Sequence, residues 1–166
     1  MVEKKATVTF DAIMRDLKSG KYAPVYILMG DESYYIDRIT DYIAENVLEP
    51  DDRDFNQTVV FGADTTAAQV VDMAKGYPVM PAAHRVVIVK EAQGLKSLDA
   101  LERYFEKPLA STLLVIAYKN GTIDRRKKVV GKAEAVGVVF ESKKKRDYEL
   151  PTFIEAYLKK NHVAID

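Results

Sequence analysis

Helix-like and strand-like spacings of apolar residues alternate along this chain. The first helical stripe follows Thr9, a residue suited to cap a helix, and consists of Phe10, Ile13, Met14 and Leu17. Residues 25–29 form a continuous apolar run, which predicts a buried strand. A second helical stripe follows it and consists of Ile36, Ile39, Ile43 and Val47.

The same alternation continues to residue 142. Further strands are predicted at residues 56–61, 85–92, 111–118 and 137–142. The intervening helices are predicted at residues 65–75 with a Thr66–Gln69 capping box, through Leu98, Leu101 and Phe105, and at residues 123–135, where Gly131 weakens the pattern. Strands rich in Val, Ile and Leu that alternate with helices indicate parallel strands covered on both faces. We therefore predict a doubly wound α/β domain with a mostly parallel five-stranded sheet flanked by helices.

The pattern changes after the fifth predicted strand. Pro151 and Thr152 are placed to begin another helix, and Glu155 stands at capping-box spacing from Thr152. We expect residues 1–147 to form the α/β domain and residues 148–166 to begin a second, helical domain that is truncated. The alternative is a terminal helix that docks on the same sheet.

Composition narrows the functional classes. The chain has 48% hydrophobic residues, which is typical of a globular protein, and its 25 basic and 25 acidic residues cancel. Overall charge therefore gives no argument for a nucleic-acid or membrane partner. The absence of cysteine excludes disulfides, thiolate zinc sites and cysteine nucleophiles, and is compatible with a reducing cytoplasm. No apolar run approaches membrane-spanning length, and no secretory signal is recognisable.

The turn after the first strand reads Gly30, Asp31, Glu32, Ser33. A phosphate-binding loop needs several glycines, free N–H groups and a lysine, whereas this turn has one glycine and two carboxylates. The carboxylates suit the start of a helix and would repel a phosphate. A phospho-receiver domain is also disfavoured, because Lys90 and Glu91 stand where its aspartate is needed.

Other candidate chemistry is sparse. His84 and His162 are too few for a zinc site or a catalytic triad, so we predict no metal site and no catalytic residue. Two basic runs consist of Arg125, Arg126, Lys127 and Lys128, and of Lys143, Lys144, Lys145 and Arg146. Either run could face DNA or RNA, or could be a solvated surface; no interleaved aromatic residue suggests base stacking.

The segment from Gly76 to Arg85 is unusual for a connection between a helix and a strand. It carries Tyr77, Val79 and Met80 around Pro78 and Pro81, although loop residues are normally polar. The apolar side chains have two interpretations: they belong to the core beneath the loop, or they form a preorganised plug for a partner's pocket.

Several segments, in the right order, resemble the delta subunit of the bacterial DNA polymerase III clamp loader. They are "APVYILMGDESYYID", "YPVMPAAHRVVIVKEAQGL", "LERYFEKPLASTLLVIAY" and "ELPTFIEAYLKKNHVAID". The resemblance implies an AAA+-like fold, with the first domain and the start of a helical second one. It also implies a degenerate, P-loop-like nucleotide site at Gly30–Ser33 that binds no cofactor. The implied role is cytoplasmic and non-catalytic, in bacterial DNA replication.

In that family the subunit binds the sliding clamp (the beta subunit) and holds one of its interfaces open, while related subunits hydrolyse ATP. The implied partners also include the gamma/tau and delta prime subunits and, through the assembled complex, primed DNA. The clamp is contacted by an apolar pair before the third strand, which corresponds here to Val79 and Met80, flanked by Pro78 and Pro81. Met80 lacks the usual ring, so Tyr77 is a further candidate. The alternative function is a nucleic-acid-binding or nucleotide-regulated P-loop-like domain.

Overall fold

Residues 8–143 are described in a computed structural model. The predictions for residues 148–166, His162 and the basic residues 144–146 lie outside this range. The strands are β1 Val25–Gly30, β2 Gln57–Phe61, β3 Arg85–Lys90, β4 Thr112–Lys119 and β5 Val138–Ser142. The α-helices of the described part are α1 Phe10–Lys18, α2 Ser33–Asn46, α3 Arg53–Asn56, α4 Ala67–Ala74, α5 Glu102–Glu106 and α6 Lys128–Val136.

The strands form a five-stranded sheet in the order β2-β3-β4-β1-β5. All four pairings are parallel, which confirms the predicted sheet and makes it wholly rather than mostly parallel. The edge where the strands begin is called the amino edge below, and the edge where they end is called the carboxyl edge.

Helices cover both faces of the sheet, as in a doubly wound fold. On one face, side chains of α4, α5 and α6 pack on alternate residues of β1, β3 and β4. On the other face, α1 and α2 pack on the remaining residues of the same strands. Because β1 and β4 are buried along nearly their whole length, their sequences are continuous apolar runs rather than alternating ones.

Local capping sets where two of the predicted helices begin. The Thr9 hydroxyl accepts a hydrogen bond from the N–H of Ala12 at 3.1 Å, which starts α1. At α4, Gln69 N–H donates to the Thr66 hydroxyl at 3.2 Å and Thr66 N–H donates to the Gln69 side chain at 3.1 Å. The predicted capping box is therefore confirmed.

Four predicted boundaries were wrong for local reasons. The last helix begins at Lys128 rather than residue 123, because the Asp124 side chain accepts from Arg126 N–H at 2.9 Å and closes a turn. Asn56 ends α3 instead of beginning β2. Glu91 has a left-handed φ of 51°, which ends β3 at Lys90. Leu98–Leu101 forms a 3₁₀ turn, so only α5 is α-helical there.

Between residues 8 and 143, no helix is both long enough and apolar enough to cross a membrane.

Candidate functional site

The segment between α4 and β3, residues 76–84, lies at the amino edge and is called the apolar loop. Its large side chains are exposed: Tyr77 to 75%, Val79 to 50% and Met80 to 85% of their surface. The interpretation that they belong to the core is therefore wrong. Pro78 is half-buried between them. These side chains form an apolar surface in contact with water, which a partner could cover.

A buried asparagine holds the backbone of the apolar loop. Asn56 is only 2% exposed. Its Oδ1 accepts a hydrogen bond from the N–H of Val79 at 2.6 Å, and its Nδ2 donates to the carbonyl of Val79 at 3.2 Å. Nδ2 also donates to the carbonyl of Asp52 at 3.1 Å, which ties the loop to the start of α3. The Val79 backbone is thus satisfied internally while its side chain points outward.

Two further contacts restrict the loop. Ala82 N–H donates to the Val79 carbonyl at 3.2 Å, which closes a turn around Met80 and Pro81. Arg85 Nε donates to the carbonyl of Met73 at 3.0 Å, which joins residues on either side of the loop. The loop is therefore preorganised, and ordering it costs little when a partner binds. Sequence reasoning missed Asn56 and Arg85, because nothing near either residue in sequence marks these contacts.

The Gly30–Ser33 turn lies at the opposite, carboxyl edge. The N–H of Gly30 donates to the Gly121 carbonyl at 2.9 Å, and the Gly30 carbonyl accepts from the N–H of Asn120 at 3.1 Å. A phosphate cradle needs backbone N–H groups that are free to face the anion. Here the N–H of Gly30 is already used by the protein.

Glu32 caps α2 from the same turn. Its Oε1 accepts from the N–H of Tyr34 at 3.2 Å, and its carbonyl accepts from the Ser142 hydroxyl at 2.7 Å. The expectation that a carboxylate of this turn stabilises the helix start is confirmed for Glu32. Asp31 is exposed and Ser33 begins the helix.

A lysine that sequence reasoning missed lies at the switch point of the sheet, where β1 and β4 end side by side. Lys119 Nζ lies 2.7 Å from Asp37 Oδ1 and 3.7 Å from a carboxylate oxygen of Glu91. Burial acts to lower the pKa of Lys119, but the hydrogen bond and charge of Asp37, together with Glu91, outweigh it and raise the pKa. Ligands of doubly wound sheets bind at this point. In this chain the ammonium group of Lys119 at the switch point is paired with the protein's own carboxylates, Asp37 and Glu91.

Replacing Lys119 with methionine should lower the free energy of unfolding by about 1 kcal/mol near neutral pH, since the ion pair is half exposed on the acidic side. The pKa of Lys119 is higher in the folded chain than in the unfolded chain. The stabilisation by the ion pair is therefore complete below the unfolded lysine pKa of about 10.4, and it is lost as the pH rises through the folded pKa. Urea unfolding of both proteins should show the difference at about pH 8 and a smaller one at about pH 11. An unchanged difference would contradict the ion pair.

The first basic run is largely paired with acidic side chains. Arg125 lies 3.5 Å from both Glu134 and Glu141, Arg126 lies 2.8 Å from Asp124, and Lys127 lies 3.5 Å from Asp99. The hydrogen bond from Arg126 lowers the pKa of Asp124 to about 2. Lys128 begins α6 and is exposed. Internal pairing reduces the charge that this run can offer to a phosphate backbone.

Of the two histidines, His84 lies within the described residues. The ring of His84 packs edge-on against Tyr22 with centroids 5.2 Å apart. Across the described residues 8–143, no three His, Asp or Glu side chains are grouped so that they could hold a metal ion.

Comparison with known proteins gives concordant matches. The family model "DNA polymerase III, delta subunit" matches residues 26–143. The DNA polymerase III subunit delta of Bacillus subtilis (strain 168) is 28% identical over 156 residues, which cover 88% of this chain and 44% of that protein. A solved structure of the Bacillus subtilis DNA clamp loader delta protein superposes with a TM-score of 0.76 at 25% identity, covering 92% of this chain and 48% of that chain.

These matches confirm the resemblance identified from the sequence and the similarity of the fold to clamp-loader delta structures. The chain spans about half the length of the relatives that it matches, 44% of one and 48% of the other.

Proposed function

The chain belongs to the DNA polymerase III delta subunit family, and on that premise we propose that it is the part of a clamp-loader subunit that binds the sliding clamp. The contact is made by Val79 and Met80 of the apolar loop, with Tyr77 and Pro78 beside them. The observation that carries this proposal is the exposure of these side chains on a backbone held by Asn56. Related subunits, gamma/tau and delta prime, and primed DNA complete the assembly.

Burial of the loop would supply the binding energy. Moving a Val or Met side chain from water into an apolar pocket is worth roughly 1.5–3 kcal/mol. Because the loop backbone is already ordered, little of this gain is lost to entropy. Met80, the most exposed of the set, has an unbranched side chain that can adapt to a pocket shaped for a ring. Tyr77 supplies the aromatic ring that Met80 lacks.

Clamp opening follows from differential binding. The loop shifts the clamp from closed to open only by the difference between its affinities for the two states. No bond is made or broken in this subunit, and its role in opening is therefore non-catalytic. The test is binding of the 166-residue chain to the purified sliding clamp of the same organism, compared with variants of Val79 and Met80.

The acidic turn argues against nucleotide turnover in this chain. Asp31 and Glu32 place negative charge beside Gly30, whose N–H is engaged by Gly121. The cation Lys119 is shared between Asp37 and Glu91. A triphosphate at this edge would have to break these contacts and approach fixed anions.

Calorimetric titration of the chain with ATP and magnesium should therefore give no heat beyond dilution. Lys119→Met should not change this result, because the lysine serves the carboxylates rather than a phosphate. Saturable ATP binding that Lys119→Met abolishes would show that the edge is a working nucleotide site, and would favour the nucleotide-regulated alternative.

A further inference from the structure

Within residues 8–143, the outer side of β2 has no strand partner. β2 is the first strand of the sheet, and in this range it is hydrogen-bonded to β3 alone. Such an edge presents backbone N–H and C=O groups at alternate residues, and proteins usually protect it with lysine, proline or a bulge. The sequence of β2, Gln-Thr-Val-Val-Phe, contains neither lysine nor proline. Val59 and Phe61 are also exposed, to 44% and 49%.

A groove runs along this edge. The strand supplies Val59, Val60 and Phe61, and α4 forms the opposite wall with Asp72 and Met73; Asp64 lies at the end of the groove. An unpaired strand edge flanked by a helix is the geometry in which PDZ-type domains add a peptide as an extra strand.

Alternate side chains of β2 lie in different surroundings on the two faces of the sheet. Val60 packs with the cluster beneath α4. Since side chains alternate along a strand, Val59 and Phe61 point to the opposite face. A peptide added beside β2 would therefore place every second side chain next to Val59 and Phe61, and the others on the α4 side, where Asp64 and Asp72 stand.

The acidic side chains of the groove favour a peptide that carries basic residues. Asp64 and Asp72 are exposed, and neither forms an ion pair with another residue in the described part of the chain. They favour lysine or arginine on the incoming strand. A second copy of this chain is disfavoured, because edge-to-edge pairing would bring the aspartates of both copies towards one another.

We propose that the groove between β2 and α4 binds an extended segment of a protein partner in which apolar and basic residues alternate, by adding it to the sheet as a sixth strand. The apolar residues cover Val59 and Phe61, and the basic residues pair with Asp64 and Asp72. This binding site is separate from the apolar loop and does not depend on clamp binding.

The probe is a blocked synthetic peptide of alternating valine and lysine, about six residues long to match a typical strand. Added to the ¹⁵N-labelled 166-residue chain, it should shift the amide signals of residues 57–61 and slow hydrogen exchange at alternate residues of β2. The same peptide with every backbone amide N-methylated, which has no N–H group to donate to the strand edge, should not bind. A valine–glutamate peptide should bind more weakly than the valine–lysine peptide.

The double variant Asp64→Asn with Asp72→Asn should weaken binding of the valine–lysine peptide about fivefold without altering thermal unfolding. The double variant Val79→Ala with Met80→Ala should bind it as the parent chain does, so failure of the clamp proposal would leave this one standing. The proposal is overturned if β2 signals do not respond, if the glutamate peptide binds equally well, or if the chain self-associates through β2 without peptide.

Discussion

Replacing both Val79 and Met80 with alanine should reduce the affinity for the sliding clamp by at least about 100-fold while leaving the thermal midpoint of the chain unchanged. The two side chains together contribute about 3 kcal/mol if both enter a pocket, and each 1.4 kcal/mol is tenfold in affinity. Stability should be unaffected because both side chains are exposed in the free chain. Calorimetric titration with the clamp and a thermal melt of each protein provide the two measurements.

Tyr34→Ala is the matched control for this experiment, since Tyr34 is another exposed aromatic residue, 45% accessible, but lies at the carboxyl edge. It should bind the clamp as the parent chain does. Tyr77→Ala should show an intermediate loss if the tyrosine ring replaces the missing aromatic at Met80. Full affinity in the double variant would exclude the apolar loop as the binding site, and loss of its unfolding transition would show that the pair is structural.

Gly30→Ala should destabilise the fold by roughly 3–5 kcal/mol, through backbone strain and overpacking together. The φ of Gly30 is 129°, a conformation that residues with a side chain rarely adopt. A Cβ placed there would lie 2.0 Å from the Ser142 carbonyl oxygen and 2.7 Å from its hydroxyl. Both belong to β5, the neighbouring strand, so relief of the clash requires the strands to separate. Urea unfolding of the nucleotide-free chain measures the loss.

Gly131→Ala is the control for Gly30→Ala, because a Cβ at this position of α6 meets nothing within 4 Å. It should stabilise the chain by about 0.5–1 kcal/mol, the helix-propensity difference. A glycine needed only for the approach of a phosphate could be replaced at little cost in the absence of ligand. An unchanged unfolding midpoint in Gly30→Ala would therefore contradict the structural role assigned to Gly30.

The amino edge of the sheet exposes apolar side chains, whereas the carboxyl edge has polar groups that are bonded within the protein. This difference supports a binding role for the amino edge rather than for the carboxyl edge. At the amino edge, polar groups hold a backbone whose apolar side chains are left exposed. At the carboxyl edge, polar groups of Gly30, Glu32 and Lys119 each form hydrogen bonds or ion pairs with neighbouring residues of the protein. Binding energy is available at the first edge, whereas a ligand at the second would have to replace existing contacts.

Much of the fold could be predicted because its determinants are local. The run at Val25–Met29 is uniformly apolar, and the Thr66–Gln69 capping box joins residues three positions apart. The boundary errors were also local: Asp124 and Glu91 adopt turn conformations that periodicity does not reveal. The spacing of apolar residues shows which residues are buried, and it does not show where a polar side chain closes a turn.

The candidate site was predictable only in part. The composition of the apolar loop identified Tyr77, Val79 and Met80, and the family resemblance favoured their role as a plug. The backbone of Val79 is held by Asn56, which lies 23 positions earlier in the chain. Similarly, Lys119 is one residue in an apolar strand until the fold brings Asp37 and Glu91 to its ammonium group.

By itself, the sequence determined the class of the fold and the starts of α1 and α4, and it led to the prediction that the Gly30–Ser33 turn does not suit a phosphate, since each of these follows from residues close together in the chain. The tertiary structure alone decided the strand order, the outward direction of the loop side chains and the partners of Gly30 and Lys119. These features depend on contacts between residues far apart in sequence, which exist only once the strands and helices have packed.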